Sequence, residues 1–418
     1  MKTFLLLVIF VTPIFLNAQN TMYFMDRVPQ NIAYNPAFIP DVKFHIALPG
    51  IGGVSANGYN SGFNYNELEN FLDNLSDENY NPDEFVNSIG EYNKFFAEAK
   101  ANIFTTGFKL KETGYFTLNI SVSDITMSKT ASDIAYLLAD VDEISDDDFP
   151  IIVDDINFLS NNYMTIGFTY ARIINEHLTL GISPRLNFNE IGLNASNLGY
   201  KIELENIDGE KDYTSTILGE AEVGLPVEIN PEALDGTTLD LDAGLFPEDW
   251  GNDLTVGDLL KNKSFSIDIG ATYAINEWTL SASVLNIGAS TWNTNGYVLN
   301  GGNETIQVEE KKVNIGIPAK LYIGAIRQFS PKWNYGVVFN NNFYNSGSDA
   351  SATFSLNGYV GSMLSTSVSY TAGYRFNNFG LGLRMRFLPG TDLYFVTDNL
   401  IQAFNYKNAY RVSAAIGI

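Results

Sequence analysis

Several stretches of the chain alternate strictly between apolar residues and small or polar ones. In residues 264–275, the odd-numbered positions from Phe265 to Ile275 are apolar, whereas the even-numbered positions carry Ser, Asp, Gly, Thr and Ala. The same period of two runs through residues 163–174, 364–376 and 379–388. It continues for longer than a common soluble strand of about 5–6 residues. It is typical of the strands of a transmembrane β-barrel, roughly 10 residues each, which turn an apolar face to lipid and a polar face to the lumen.

The predicted turns between these strands keep the apolar face on one side. Apolar residues flank four such turns, at 175–177, 276–277, 330–332 and 377–378. Because a slip of one residue would move a whole strand to the wrong face, this agreement favours one regular antiparallel sheet. The turn at 377–378 places Arg384 opposite Thr371 on the neighbouring strand.

Fourteen such strands are predicted, an even number as in bacterial barrels. Their predicted bounds are 44–59, 103–111, 114–123, 163–174, 177–190, 264–275, 278–289, 317–329, 333–345, 351–360, 364–376, 379–388, 391–398 and 409–418. Short connections alternate with long ones, which include 60–102, 124–162, 191–263 and 290–316. Outer-membrane barrels have short periplasmic turns and long extracellular loops. We therefore expect an all-β, transmembrane, antiparallel up-and-down β-barrel, with short helices at 82–101 and 132–143 in its extracellular loops.

The N-terminus has the pattern of a cleaved signal peptide. A basic start, an apolar run too short to cross a bilayer and a small residue before Gln19 predict export and cleavage after Ala18. The segment 19–43 has no strand or helix period and is rich in aromatic residues and proline. We expect it to form a plug that enters the barrel from the periplasm. The predicted organisation is a signal peptide at 1–18, a plug at 19–43 and a barrel at 44–418.

Composition narrows the chemistry that the chain can perform. It contains no cysteine and 2 histidines, which excludes disulfides and thiolate chemistry and leaves little room for histidine-based catalysis. Its formal net charge of −24 argues against nucleic acid, whose phosphates need a basic surface. We expect a protein that is not an enzyme and needs no cofactor. Asp146, Asp147 and Asp148 form a weak candidate for a Ca²⁺ site, although a solvated acidic loop explains them more simply.

Charged residues on predicted inward faces are the candidates for a site in the lumen. They are Arg185, Asp268, Arg375, Arg384, Arg386 and Arg411. Two interpretations are open. The arginines bind the anionic head group of a ligand, or they pair with acidic residues of the plug, such as Asp26 and Asp41.

The motif Asn35-Pro36-Ala37, close behind the predicted signal peptide, and the fourteen-strand pattern together resemble the fatty-acid-transporter-like (FadL-type) superfamily of outer-membrane barrels. Within it, Tyr34–Pro40 and Leu393–Leu400 are most similar to PorV- and SprF-like barrels, which accompany type IX secretion. Two further segments, Ala47–Ile51 and Asn60–Tyr65, resemble a related family of uncharacterised function. The resemblance implies a plug at 19–43 and either passage of small apolar molecules or partnership with a larger machine. It implies no catalytic residues.

Two functions are consistent with these features. The first is a non-enzymatic accessory or adaptor subunit of an outer-membrane or secretion assembly, which the large acidic loops favour. Its partner would be a larger outer-membrane or surface protein. The second is a plugged, FadL-like channel for small hydrophobic or amphipathic molecules. Both place the exported protein among the outer-membrane lipid of a Gram-negative bacterium.

Overall fold

The structure is a computed structural model. It describes residues 19–47, 52–74, 83–132, 149–207, 210–228, 255–302, 307–344, 347–373, 376–388, 391–400 and 405–417. The described helices are α1 (Gln19–Met22), α2 (Tyr65–Asn74), α3 (Asp83–Ile89) and α4 (Val256–Leu259), with 3-10 turns at Pro29–Ala33 and Tyr406–Asn408. In this part of the chain no helix is both long enough and apolar enough to cross a membrane.

The described strands form one antiparallel sheet. They are β1 (Phe44–Ala47), β2 (Val54–Asn60), β3 (Tyr92–Leu110), β4 (Gly114–Ala131), β5 (Ile151–Ile173), β6 (Leu178–Ile207), β7 (Glu210–Gly224), β8 (Lys263–Ile275), β9 (Trp278–Trp292), β10 (Gly296–Gly301), β11 (Gln307–Glu310), β12 (Val313–Gly316), β13 (Ala319–Ser330), β14 (Trp333–Tyr344), β15 (Gly347–Val360), β16 (Leu364–Gly373), β17 (Phe376–Leu388), β18 (Thr391–Thr397) and β19 (Arg411–Gly417).

Fourteen of the strand positions close into a barrel. β1 and β2 both pair with β3 and act as one interrupted strand. β12 and β13 both pair with β9 and act as another. The ring then runs from β3 to β6, through β8 and β9, and from β13 to β19, which pairs with β2 and closes it. This confirms the predicted fold. β7, β10 and β11 lie outside the ring, where they extend the upper part of β6.

The predicted faces of the strands are also confirmed. In β8, Phe265 is 77% exposed and points outward, whereas Asp268 is 1% exposed and points inward. In β16, Val368 is exposed, whereas Ser367 and Ser369 are buried. Exposed apolar side chains of this kind surround the ring and form the belt that a membrane-spanning barrel needs.

Above this belt the inward face becomes apolar and the outward face becomes polar. In β4, the inward positions up to Ser123 are mostly polar, and the inward positions after it are Ile125 and Met127, both buried. The outward positions change in the opposite sense, from the apolar Val122 to Asp124. The inner face of β4 is therefore polar at membrane level and apolar above it, and the exchange marks the extracellular boundary of the belt.

The strands extend much farther than the sequence predicted, and several predicted loops are wrong. Residues 92–101 belong to β3 rather than to a helix, and only 83–89 of the predicted helix is helical. Strands also occupy 124–131, 151–162, 191–207 and 210–224. Helical spacing in 92–101 is overruled because the segment pairs with β2 on one side and β4 on the other. The predicted helix at 132–143 lies almost entirely outside the described residues.

One predicted turn is in the wrong place. Asn377 and Asn378 lie within β17, and Gly373 pairs with Phe376 across the connection. Arg384 consequently lies opposite Ser365 instead of Thr371. The inward face is unchanged because the displacement of the turn preserves the alternation.

Candidate functional site: a plugged lumen

A buried carboxylate, Asp398, binds the N-terminal helix α1 inside the barrel. The backbone N–H groups of Asn20 and Thr21 donate to it at 3.1 and 2.8 Å, and the Thr21 hydroxyl donates to it at 2.5 Å. The same hydroxyl lies 2.6 Å from the Ser369 hydroxyl in β16. Thr21 and Asp398 are both buried. Because a hydrogen bond to a charged group contributes about 1.5–3 kcal/mol, this network fixes the first turn of the plug.

The plug motif Asn35-Pro36-Ala37 lies against the inner wall at β6, β8 and β9. The Asn35 amide nitrogen donates to the carbonyl oxygens of Ala271 and Ala282, at 3.3 and 3.2 Å. Its amide oxygen accepts from the N–H of Ala37 at 2.9 Å. Asn35 is completely buried and uses both ends of its amide. Neither a carboxylate, which cannot donate, nor an apolar side chain would satisfy these partners.

Inward-facing glycines make room for the plug. A Cβ atom at Gly181 would overlap the backbone of Pro36, and one at Gly270 would overlap the Asn35 side chain. The same close approach occurs where Thr21, Tyr23, Phe24 and Met25 face Gly380, Gly324, Gly336 and Gly382. The wall and the plug therefore fit each other at glycine positions on five strands. The sequence predicted small inward residues and a plug at 19–43, but not which glycines face which residues of the plug.

Aromatic side chains fill the space between the plug and β13. The Tyr23 ring stacks on Tyr322, with 5.5 Å between ring centroids, and packs edge-on against Phe38 at 5.2 Å. The Tyr23 hydroxyl lies 2.8 Å from the Ser281 hydroxyl. Tyr23 and Tyr322 are buried, so this cluster blocks the lumen beside the hydrogen-bonded segments.

A layer of buried charges lies on the extracellular side of the plug. Arg185 forms an ion pair with Asp268 and donates to the Asn286 amide oxygen at 3.0 Å, and the Asn286 N–H donates to Asp268 at 2.7 Å. Lys320 donates to both carboxylate oxygens of Glu98, at 2.6 and 2.8 Å. Arg185 and Asp268 are buried on the inner face, and they are each other's partners rather than partners of plug acids.

Lys100 belongs to the same layer. It lies within electrostatic range of Arg185, Asp268, Glu98 and Lys320. Its ammonium group makes no hydrogen bond or ion pair with the part of the chain that the structure describes. The layer thus contains three cations and two carboxylates, which leaves one positive charge without a paired acid. Sequence reasoning missed Glu98 and Lys100 because 92–101 was predicted as a helix. Their alternation with apolar residues was the available signal.

Above the charged layer the lumen is closed by an apolar core. Its buried members are Phe96, Ile125, Met127, Leu159, Tyr163, Trp292, Val298, Val313, Ile315 and Ile317. Trp292 is completely buried against Gly192 and Gly224, where a Cβ atom would overlap its indole ring. A molecule that follows the axis from outside would meet this apolar core first, then the charged layer and then the plug.

Arg384 and Arg386 lie at the periplasmic end and share one carboxylate, Asp392. Arg384 donates to it at 2.6 Å and Arg386 donates at 2.9 Å. With Arg27 and Asp41 of the plug, they line a cavity of about 250 Å³. Pairing with plug acids is therefore not their main contact, because a carboxylate of β18 holds both guanidinium groups. The other plug acid named in that prediction, Asp26, accepts from the Tyr359 hydroxyl instead.

Of the remaining predicted residues, Arg411 lies within electrostatic range of Asp398, which binds the plug, and of Asp349. Arg411 is half-buried in β19, opposite Tyr59 in β2. Arg375 and the acidic run Asp146, Asp147 and Asp148 lie outside the described residues. The two histidines do not contact each other. His45 contacts the Tyr115 hydroxyl in the wall, and His177 contacts the carbonyl oxygen of Ala274 beside a turn. Within the described ranges, no three Asp, Glu or His side chains gather as a metal site would require.

Residues 36–315 and 303–398 match a protein family described as a family of unknown function, DUF5723. The chain belongs to this family. No curated protein matches this DUF5723 chain.

Solved structures similar to this DUF5723 chain are barrels of low sequence identity. The Pseudomonas putida toluene transporter TodX is 9% identical, with a TM-score of 0.42 over 96% of this chain and 93% of its own. The Ralstonia pickettii toluene transporter TbuX is 7% identical, with a TM-score of 0.43 over 93% and 92%. A Pseudomonas aeruginosa FadL homologue is 11% identical, with a TM-score of 0.45 over 92% and 90%.

Proposed function

We propose that the protein is a plugged outer-membrane conduit for small amphipathic molecules and that its plug moves to open the lumen. The observation that carries this proposal is the polar interface between plug and wall. Asp398 and the Asn35 amide hold the plug through hydrogen bonds. The facing wall is lined by Ser355, Ser367 and other buried hydroxyls, which water could hydrate if the plug left. Aromatic and methionine side chains of the plug pack on the wall beside these polar contacts.

The order of surfaces along the lumen suggests the class of molecule. The apolar core suits a hydrocarbon body, and the charged layer with Lys100 beneath it suits a single anionic group. An apolar core followed by a charged layer fits an amphipathic acid better than a sugar or a free inorganic ion. It also agrees with the resemblance of Asn35-Pro36-Ala37 to FadL-type barrels. The proposed location is the outer membrane, with export by the N-terminal signal peptide and no catalytic role.

A glycine substitution tests whether the plug controls passage. In Gly181→Ala the new methyl group would overlap the backbone of Pro36, which cannot yield as a flexible side chain could. We expect the plug to be displaced and the entry of laurate or of a hydrophobic fluorescent dye into proteoliposomes to rise. Trypsin cleavage after Arg27 reports plug position independently.

Gly167→Ala is the matched control. Its Cβ atom would lie 3.6 Å from the nearest atom, the Cγ of Arg185, which is an ordinary contact on the same inward face. Passage and cleavage should remain as in the wild type. If Gly181→Ala exposes Arg27 to trypsin and yet leaves laurate and dye passage unchanged, the proposed function is wrong.

A second candidate, an accessory subunit for a larger outer-membrane or surface protein, rests on the extracellular sheet. In this sheet the strands are paired in the order β6, β7, β10 and β11. The outer edge of β11 has no partner among the described strands. A free edge can pair with a strand of another chain. Pull-down from mildly solubilised outer membranes would recover a stoichiometric partner if this is the function. Recovery of the barrel alone, with no change in other surface proteins after its deletion, would argue against it.

A further inference from the structure

An apolar groove lies on the membrane-facing side of the barrel. It crosses β5, β6, β8, β9 and β13 and has a volume of about 610 Å³. Small residues form its floor, namely Gly181, Gly270, Ala271 and Ala282. Exposed apolar side chains, including Tyr170, Leu180, Ile182 and Ile269, form its walls. The groove is therefore a depression in the lipid-facing belt, one side chain deep.

The floor is supported from inside by the plug. Pro36 and Asn35 lie directly behind Gly181 and Gly270, where the wall consists of backbone alone. The groove is thus a fixed recess as long as the plug is in place. A recess of this size would leave apolar surface unfilled unless an apolar chain occupies it.

A cation stands at the periplasmic rim of the groove. Arg172 lines it, is exposed, and lies two residues before the β5–β6 turn. Its guanidinium group makes no hydrogen bond or ion pair with the described residues of the chain. Lys111, in the adjacent turn, is also exposed, whereas the nearby Glu112 is paired with Lys109 at 3.1 Å. In a chain of net charge −24, unpaired cations beside an apolar recess are a specific arrangement.

We propose that this groove is a binding site for an anionic glycerophospholipid of the periplasmic leaflet. One acyl chain lies in the recess between Leu180 and Ile269, and the phosphate group lies against Arg172. The height of Arg172, at the end of the apolar belt, places its charge at the level of lipid head groups. The occupant enters from the bilayer, so this inference is independent of passage through the lumen.

Lipid retention tests the site. The purified protein is exchanged into nanodiscs of equal phosphatidylglycerol and phosphatidylcholine, re-extracted in detergent and weighed by native mass spectrometry. We expect one phosphatidylglycerol to be retained. Arg172→Gln should lower the preference for phosphatidylglycerol about fivefold, the contribution of one cation at a lipid surface. Ala282→Phe should fill the floor and abolish retention of both lipids.

Matched controls separate a specific site from the lipid that surrounds any barrel. Lys332→Gln removes another exposed periplasmic cation, and Ala352→Phe adds the same bulk to β15, away from the groove. Both should retain phosphatidylglycerol as the wild type does. Equal retention of the two lipids by the wild type, or equal loss in Arg172→Gln and Lys332→Gln, would show annular lipid only and overturn the proposal. Neither outcome bears on the passage assay, which measures a different path.

Discussion

The membrane-level half of the lumen and the half above it are built from the same strands in opposite ways. At membrane level most inward residues are Gly, Ser, Thr and Asn, with Tyr322 and Val396 among the exceptions, and they face a plug supplied by a separate segment of the chain. Above it the inward residues are apolar and pack on one another around Trp292. The lower contents belong to a segment outside the sheet, although Tyr322 and Val396 of the wall pack on it. The upper contents are side chains of the strands themselves.

The difference follows from the solvent on the outside of each half. Where lipid surrounds the barrel, apolar residues gain nothing by pointing inward, so the inner face is free to be polar. Where water surrounds it, burying the inward apolar face stabilises the sheet, at about 25 cal/mol for each Å² removed from water. The polar and apolar faces of β4 change places beside Ser123, which is where the surroundings of the barrel change from lipid to water.

The largest expected effect is in the upper half. Trp292→Ala should destabilise the extracellular sheet by about 3–5 kcal/mol, because its indole ring fills the space between two glycines. Hydrogen exchange should accelerate in 124–131 and 191–202 and remain slow in the membrane-level strands. Ser367→Ala, which removes a buried hydroxyl at membrane level, is the control. Uniform acceleration throughout the barrel would mean that the two halves are not separate.

The next effect tests the boundary between the halves. Phe168→Lys places a cation on the lipid-facing side and should cost about 2–4 kcal/mol in vesicles. Asn162→Lys, on the same face of β5 but above the boundary, should cost almost nothing. Unfolding free energies in denaturant, measured for both variants in the same vesicles, provide the comparison. Similar losses of unfolding free energy at the two positions would show that the boundary does not lie between Asn162 and Phe168.

A smaller effect is expected at the plug. Asp398→Asn replaces a carboxylate that accepts three hydrogen bonds, from two N–H groups and the Thr21 hydroxyl, and should weaken plug binding by about 1–3 kcal/mol. Hydrogen exchange should rise in 19–25 alone. Asp124→Asn, an outward position above the belt, should leave the plug unchanged. Acceleration spread through β16 and β18 would indicate that Asp398 supports the wall rather than the plug.

The smallest effect concerns the outer surface of the upper half. A hydrogen bond from the Lys129 ammonium lowers the pKa of Asp155. Its stabilising contribution is therefore complete above the ordinary carboxyl pKa of about 3.9 and is lost as the pH falls through the lowered value. Because the pair is partly exposed, less than about 1 kcal/mol is expected. Asp155→Asn should abolish that part of the acid dependence, and an unaltered pH profile would show that the pair contributes nothing.

The sequence predicted the barrel well because each strand carries its own signal. Alternation in β8 and β16 needs no knowledge of the partner strand to show which face meets lipid. The extent of the strands was not predictable in this way, since 92–101 has helical spacing and becomes a strand only through pairing with β2 and β4. The plug contacts were equally inaccessible. Nothing in the sequence relates Asp398 to Thr21, because their hydrogen bonds depend on closure of the ring.

The most direct test of the account locks the plug to the wall. The chain contains no cysteine, so a disulfide between Thr21→Cys and Ser369→Cys would be unique, and the two hydroxyls now lie 2.6 Å apart. We expect the oxidised protein to pass no laurate into proteoliposomes. Reduction should restore passage to at least the wild-type rate, because the reduced variant also lacks the Thr21 hydroxyl that donates to Asp398. Equal passage before and after reduction, with the disulfide verified by mass spectrometry, would contradict a moving plug.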